Sequence, residues 1–82
     1  MDSTLSGTVV RAVIDARGKA CPGPIVELGK AFRAASPGDR FELLATAPGS
    51  CADVPAWAEM TGNVLESAEA DGDGWRYVLR RA

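Results

Sequence analysis

The chain predicts an α+β domain: a two-layer α/β sandwich of order βαβαββ, with a mixed four-stranded sheet and two helices on one face. Three observations predict it. Eighty-two residues with 46% hydrophobic content suit one compact domain with its own core. Two apolar, strand-like runs are each followed by a helix-spaced segment, which implies a parallel first pair joined by right-handed crossovers. Two further strand-like runs flank Asp71-Gly72-Asp73-Gly74, a hairpin signal that adds an antiparallel element.

The elements follow in order. Val9 to Ile14 is apolar and rich in β-branched residues, broken by Arg11, and reads as the first strand. Asp15 to Ala20, with Gly18, forms the loop that leads to Cys21. From Pro22 to Ala35 the spacing of Ile25, Leu28, Phe32 and Ala35 predicts one buried helix face, with Glu27, Lys30 and Arg33 opposite. Gly29 is either a weak point or a close-packing point in that helix. Pro37-Gly38-Asp39 is a turn signal. Phe41 to Thr46 is nearly continuously apolar, as for a strand in a sheet centre.

Pro48-Gly49 ends that strand, and a second helix is expected over Ser50 to Thr61, stopped by Gly62-Asn63. Its start has two readings. Ser50 with Asp53 resembles a capping box, whereas Pro55 is more comfortable if Asp53 is the cap. Val64 to Ala70 and Trp75 to Arg81 complete the sheet, with Trp75, Tyr77 and Leu79 on one face and Arg76, Val78 and Arg80 on the other. Trp57 and Trp75 are expected in the core or at its edge. Residues 1–8 are expected to be a flexible N-terminus, Met1 to Ser6 being short and polar, ahead of a single domain over 9–82.

Several classes of function are excluded or disfavoured. No apolar stretch is long enough to span a membrane and no secretory leader is visible, so the chain is expected in the cytoplasm. Two cysteines there point to thiol chemistry or burial rather than a disulfide framework. With no histidine, a Cys-His pair and imidazole zinc sites are impossible, and two thiols cannot close a four-thiolate site. No metal and no cofactor are expected. A net charge of −2 argues against direct nucleic-acid binding. Arg76, Arg80 and Arg81 read as a solvated face rather than a nucleic-acid site.

Cys21-Pro22-Gly23-Pro24 carries the chemistry. Proline suits the first helical position, so Cys21 is expected at or beside the N-cap of the first helix. Free amide N–H groups and the helix dipole there favour an anion. An exposed thiol so placed can have its pKa lowered from about 8.5 into a range of roughly 3.5–7.5. Cys21 is therefore a candidate nucleophile, the plain alternative being a buried cysteine acting as a small hydrophobe.

The chain resembles the TusA/SirA family of small sulfur-carrier proteins. The match lies in Asp15-Ala16-Arg17-Gly18-Lys19-Ala20-Cys21-Pro22-Gly23-Pro24, in Lys30, in Pro37-Gly38-Asp39, in Asp53-Val54-Pro55-Ala56-Trp57 and in Thr61-Gly62-Asn63. The resemblance implies strand order 1-2-4-3 and a Cys21 that accepts sulfur as a persulfide and passes it on by thiol exchange. It implies a carrier with a covalent intermediate rather than a multiple-turnover enzyme by itself. Donors would be cysteine desulfurases or rhodanese-like proteins. Acceptors would serve tRNA thiolation, sulfur oxidation or molybdenum-cofactor pathways. Gly18, Pro22, Gly23 and Pro24 would support the loop, Arg17, Lys19, Lys30 and Asp53 would serve docking, and the carrier would act as a monomer. Ala47 before Pro48, and Ala52 before Asp53, stand where family members often carry charge.

A persulfide relay agrees with the residue chemistry, because a thiolate attacks a sulfur whose leaving group departs as an anion and needs no acid-base residue. Cys51 is a candidate second thiol. Both cysteines follow neighbouring parallel strands and so belong to one carboxyl edge of the sheet, where ligand sites collect. Cys51 could resolve or receive sulfur from Cys21, or be a small residue tolerated in a helix-start loop. The competing functions are a thiol redox or regulatory protein using Cys21 with Cys51, and a non-catalytic interaction module.

Overall fold

The computed structural model describes residues 10–20 and 22–82. Its elements are β1 (Ala12–Ala16), α1 (Gly23–Arg33), β2 (Arg40–Ala45), α2 (Ser50–Thr61), β3 (Val64–Asp71) and β4 (Gly74–Arg80). The sheet runs β1-β2-β4-β3, with β1 and β2 parallel and the remaining pairs antiparallel. The expected order and strand neighbours are both present.

One face of the sheet forms the core. Ala16, Phe41, Leu43, Ala45, Tyr77 and Leu79 meet Leu28 and Phe32 of α1 and Val54, Trp57 and Ala58 of α2. Register explains the selection: Phe41 pairs with Leu79, and Leu43 with Tyr77, so alternate residues of adjacent strands line up on the helix side. Phe32 stands at the centre, with ring centroids 4.9 Å from Phe41 and 5.0 Å from Trp57.

The opposite face is charged. Glu66 accepts from Arg40 at 2.7 Å and from Arg80 at 3.0 Å, and Arg76 donates to Glu69 at 2.8 Å. Val78 lies in the same layer and is only 8% exposed. Arg76 and Arg80 thus occupy the solvated face that alternation predicts.

The bounds differ in places. β1 begins later than expected and runs through Asp15 to Ala16, because it pairs with β2 as far as Ala45 and Ala16 is fully buried. Val9, the expected start, and Met1 to Ser6 lie outside the described residues. α1 stops at Arg33 rather than Ala35. There Ala34 N–H turns to Ala31 O and Ala35 N–H to Phe32 O, a tightened final turn. β2 is central but alternates in burial, since only one face of this sheet is covered by helices.

Neither reading of the α2 start is correct. Gly49 is the N-cap and no side chain caps it. Ser50 instead turns inward, fully buried, with Oγ 2.9 Å from the Tyr77 hydroxyl. Pro55 falls inside the helix, where its missing N–H deprives the Cys51 carbonyl of its helical partner. The helix ends as expected on Gly62, at φ +76. Gly29 meets nothing within 4 Å of an added Cβ, so it is a weak point and not a packing point.

Candidate functional site

The site is the carboxyl edge of the parallel pair, where the loop after β1 delivers the chain to α1. Lys19 N–H bonds Ala16 O at 3.2 Å, closing a four-residue turn with Gly18 third at φ +83, the value a type II turn puts there. Asp15 grips the turn from one side. Its carboxylate takes Arg17 Nε at 2.9 Å, Arg17 Nη2 at 2.8 Å and Arg17 N–H at 3.1 Å. The guanidinium, then the backbone N–H, hold the Asp15 carboxyl down at about 2. From the other side Thr46 Oγ1 accepts the Gly18 N–H at 2.9 Å.

The loop ends in a second turn, closed by Gly23 N–H on Ala20 O at 2.7 Å. A Cβ at Gly23 would stand 2.9 Å from Lys19 Cβ, so the loop and helix approach to a distance only glycine allows. Pro22 is the N-cap of α1, and Pro24 is buried in its first turn. Cys21, the candidate nucleophile, lies outside the described residues; its neighbours Ala20 and Pro22 are both exposed.

The helix start holds fewer donors than a generic N-terminus. Pro22 and Pro24 have no N–H and the Gly23 N–H is taken by Ala20 O, so three of the backbone amides expected to face an anion are absent or engaged. The dipole remains. The first turn of α1 contains no acidic residue, and Lys30 and Arg33 sit in its last turn, where cations suit the negative end.

Beside Pro22 a shallow groove of about 290 Å³ opens between the two helices. Pro22 and Ile25 line it from α1, and Asp53, Ala56, Trp57 and Met60 from α2. Its lining is apolar except for Asp53. Met60 is 79% exposed. A solvent-facing methionine beside a partly apolar groove suits contact with another protein surface.

The residues singled out for docking do not form one patch. Arg17 is engaged by Asp15, and Lys19 is exposed beside it. Asp53 reaches the groove next to Pro22. Lys30 lies outside the groove lining, 3.9 Å from Glu27. Cys51 is exposed and lies on the first turn of α2. Ala47 is buried, and Ala52 is exposed.

Met60 at the groove escaped sequence reasoning, and so did two contacts: Thr46, whose hydroxyl meets a backbone amide 28 residues away, and the buried Ser50–Tyr77 pair. Neither contact has a local signature. Asp15–Arg17 had one, since an acid two residues before an arginine at a strand end can fold back on it.

Comparison with known proteins agrees with this architecture. The family model described as sulfurtransferase TusA matches residues 12–81. The chain is 35% identical over 69 residues to the sulfur carrier protein TusA of Allochromatium vinosum, covering 84% of this chain and 91% of that protein. Against the sulfur carrier protein TusA of Pseudomonas syringae pv. tomato it is 30% identical over 81 residues, covering 99% of this chain and 96% of the relative. The YrkF protein of Bacillus subtilis is 44% identical over 69 residues, and the match spans 37% of YrkF. The crystal structure of a SirA-like protein from Desulfitobacterium hafniense superposes with a TM-score of 0.73 at 26% identity, covering 84% of this chain and 95% of that one. With the fold and a family model spanning residues 12–81 in agreement, this protein belongs to the TusA family of sulfur carriers.

Proposed function

We propose that the chain accepts sulfane sulfur as a persulfide on Cys21 and hands it to a partner protein. The observation that supports this most is the hydrogen-bonded backbone of the described residues before and after the cysteine. Two hydrogen-bonded turns and a proline N-cap hold the chain on either side of it, next to an apolar groove. Ordered segments beside a docking tip limit the ordering entropy of each of two successive dockings.

The chemistry is a pair of thiol exchanges. The Cys21 thiolate attacks the outer sulfur of a donor persulfide; the donor S–S bond breaks, the donor cysteine leaves as thiolate, and a new S–S bond forms on Cys21. An acceptor thiolate then attacks the outer sulfur of the Cys21 persulfide and Cys21 leaves as thiolate. Sulfur moves without net oxidation. The helix dipole favours the anion at each stage, and no proton-transfer residue is required.

A sulfur carrier works between a donor and an acceptor protein. Here the donor is of the cysteine desulfurase or rhodanese-like class, and the groove flanked by Pro22, Asp53 and Met60 is where either partner rests. Such a relay belongs in the cytoplasm, where glutathione and thioredoxin keep thiols reduced. No helix among the described residues is long and apolar enough to cross a membrane.

The test is intact mass after incubation with a cysteine desulfurase and free cysteine, for wild type, Cys21→Ala and Cys51→Ala. One added sulfur lost only in Cys21→Ala supports the reading. Loss in either variant brings in the dithiol alternative with Cys51. No addition from a desulfurase, a rhodanese or polysulfide overturns the carrier reading in favour of a docking module.

A further inference from the structure

We propose that Thr46 is a positioning residue for sulfur transfer: its hydroxyl selects one of two peptide orientations in the turn that leads to Cys21. The proposal rests on the reading of Cys21 as the sulfur-bearing residue. Thr46 follows β2 and is half-buried, and its Oγ1 accepts the Gly18 N–H at 2.9 Å. That N–H belongs to the middle peptide of the turn closed by Lys19 N–H on Ala16 O.

Type I and type II turns share the same closing hydrogen bond. They differ by rotations of roughly 150–170° on either side of the middle peptide, which reverses its N–H. Glycine adopts both signs of φ with similar ease, so Gly18 permits the observed φ of +83 without enforcing it. Lys19 N–H meets Ala16 O in either form. The choice therefore falls to an acceptor outside the turn, and Thr46 Oγ1 is that acceptor.

Thr46 is itself held. A Cβ added at Gly74 would stand 3.0 Å from Thr46 Cγ2, so the methyl abuts the first residue of β4. A β-branched side chain has few χ1 choices, and fixing the methyl aims the hydroxyl. On the far side Asp15 secures Arg17 N–H and its guanidinium. A reversed middle peptide would lose the Thr46 bond and with it the tie between this turn and the end of β2, loosening the loop three residues before Cys21. Small displacements of a reacting group are costly when two proteins must align two sulfurs.

The variants are Thr46→Val, which keeps the shape and removes the acceptor, and Thr46→Ser, which keeps the acceptor. Two readouts are taken on the whole chain: Gly18 amide exchange and relaxation dispersion by NMR, and kcat/KM for persulfide loading from a cysteine desulfurase. Thr46→Val is expected to deprotect the Gly18 amide, broaden its signal and lower kcat/KM about fivefold, the scale of one lost hydrogen bond. Thr46→Ser is expected to restore both. Equal loading by wild type and Thr46→Val, or equal loss in Val and Ser, overturns the proposal. Should Thr46→Val fail to fold, Thr46→Ala lacks the same acceptor and is read identically. Wild-type loading that survives Cys21→Ala overturns the carrier reading itself, an outcome distinct from a Thr46 variant that behaves as wild type.

Discussion

Ser50 and Tyr77 share a buried hydrogen bond of 2.9 Å that ties the first residue of α2 to the middle of β4. Both residues are almost wholly inaccessible, 0% and 1% exposed, and the surrounding core is apolar. The bond fixes the N-terminal end of α2 over the sheet, and through it the Asp53 side of the groove beside Pro22.

Removing one partner leaves the other hydroxyl short of that bond inside the core. Ser50→Ala and Tyr77→Phe are each expected to destabilise the fold by about 0.5–1.5 kcal/mol in urea unfolding, the scale of one lost hydrogen bond. The double variant should lose less than the sum, because both substitutions remove the same hydrogen bond. Strict additivity would show that the pair does not act as a unit.

Glycine substitutions should split in sign. At Gly74 a Cβ would lie 2.3 Å from the Ala45 carbonyl oxygen, a backbone atom that cannot step aside, so Gly74→Ala should destabilise by roughly 1–3 kcal/mol. At Gly29, inside α1, the added methyl meets nothing, and Gly29→Ala should stabilise by about 0.5–1 kcal/mol. Thermal unfolding of the two variants checks both, and a gain at Gly74 would contradict the close approach.

Acid should weaken the loop that leads to Cys21. The Asp15 carboxyl is lowered from 3.8 to about 2, so in that window the unfolded chain binds more protons than the folded one. The Asp15 contribution is complete above about pH 4 and is lost as pH falls through 2. Asp39, held by the Ser36 N–H and by Arg11, and Glu66, held first by Arg40 and also by Arg80, are lowered in the same direction. Carboxyl NMR titration of wild type and Arg17→Gln tests this. The Asp15 midpoint should rise towards its ordinary value in the variant, and an unmoved midpoint would refute the assignment to Arg17.

A charge placed in the groove should separate protein donors from small ones. Met60→Asp sits on an exposed position, so folding should be near wild type. Loading from a cysteine desulfurase should fall about tenfold, a cost of about 1.4 kcal/mol at a docking contact. Loading from polysulfide, which needs no docking, should fall far less. Equal losses with both donors would place docking elsewhere.

Much of this architecture is legible locally. The α2 bounds match expectation because Pro48-Gly49 and Gly62 are chain-intrinsic signals, and the two-residue hairpin follows from Asp71-Gly72-Asp73-Gly74. The strand faces of β4 follow from alternation alone. Where expectation and structure part, a distant partner decides. β1 extends through charged Asp15 because β2 pairs with it to the end, and the α2 start is taken by Gly49 because Ser50 is drawn inward to Tyr77.

The candidate site divides in the same way. Cys21, the two prolines that follow it, Gly18 and Gly23 stand close together in the chain, and local backbone chemistry singles them out. Thr46 on the Gly18 amide, Asp53 across from Pro22, and the exposed Met60 come from segments remote in sequence. By itself the sequence determined the element order and the family. Only the tertiary structure decided which residues surround the Cys21 loop, because a hydrogen bond across 28 residues depends on two strands being parallel and in register.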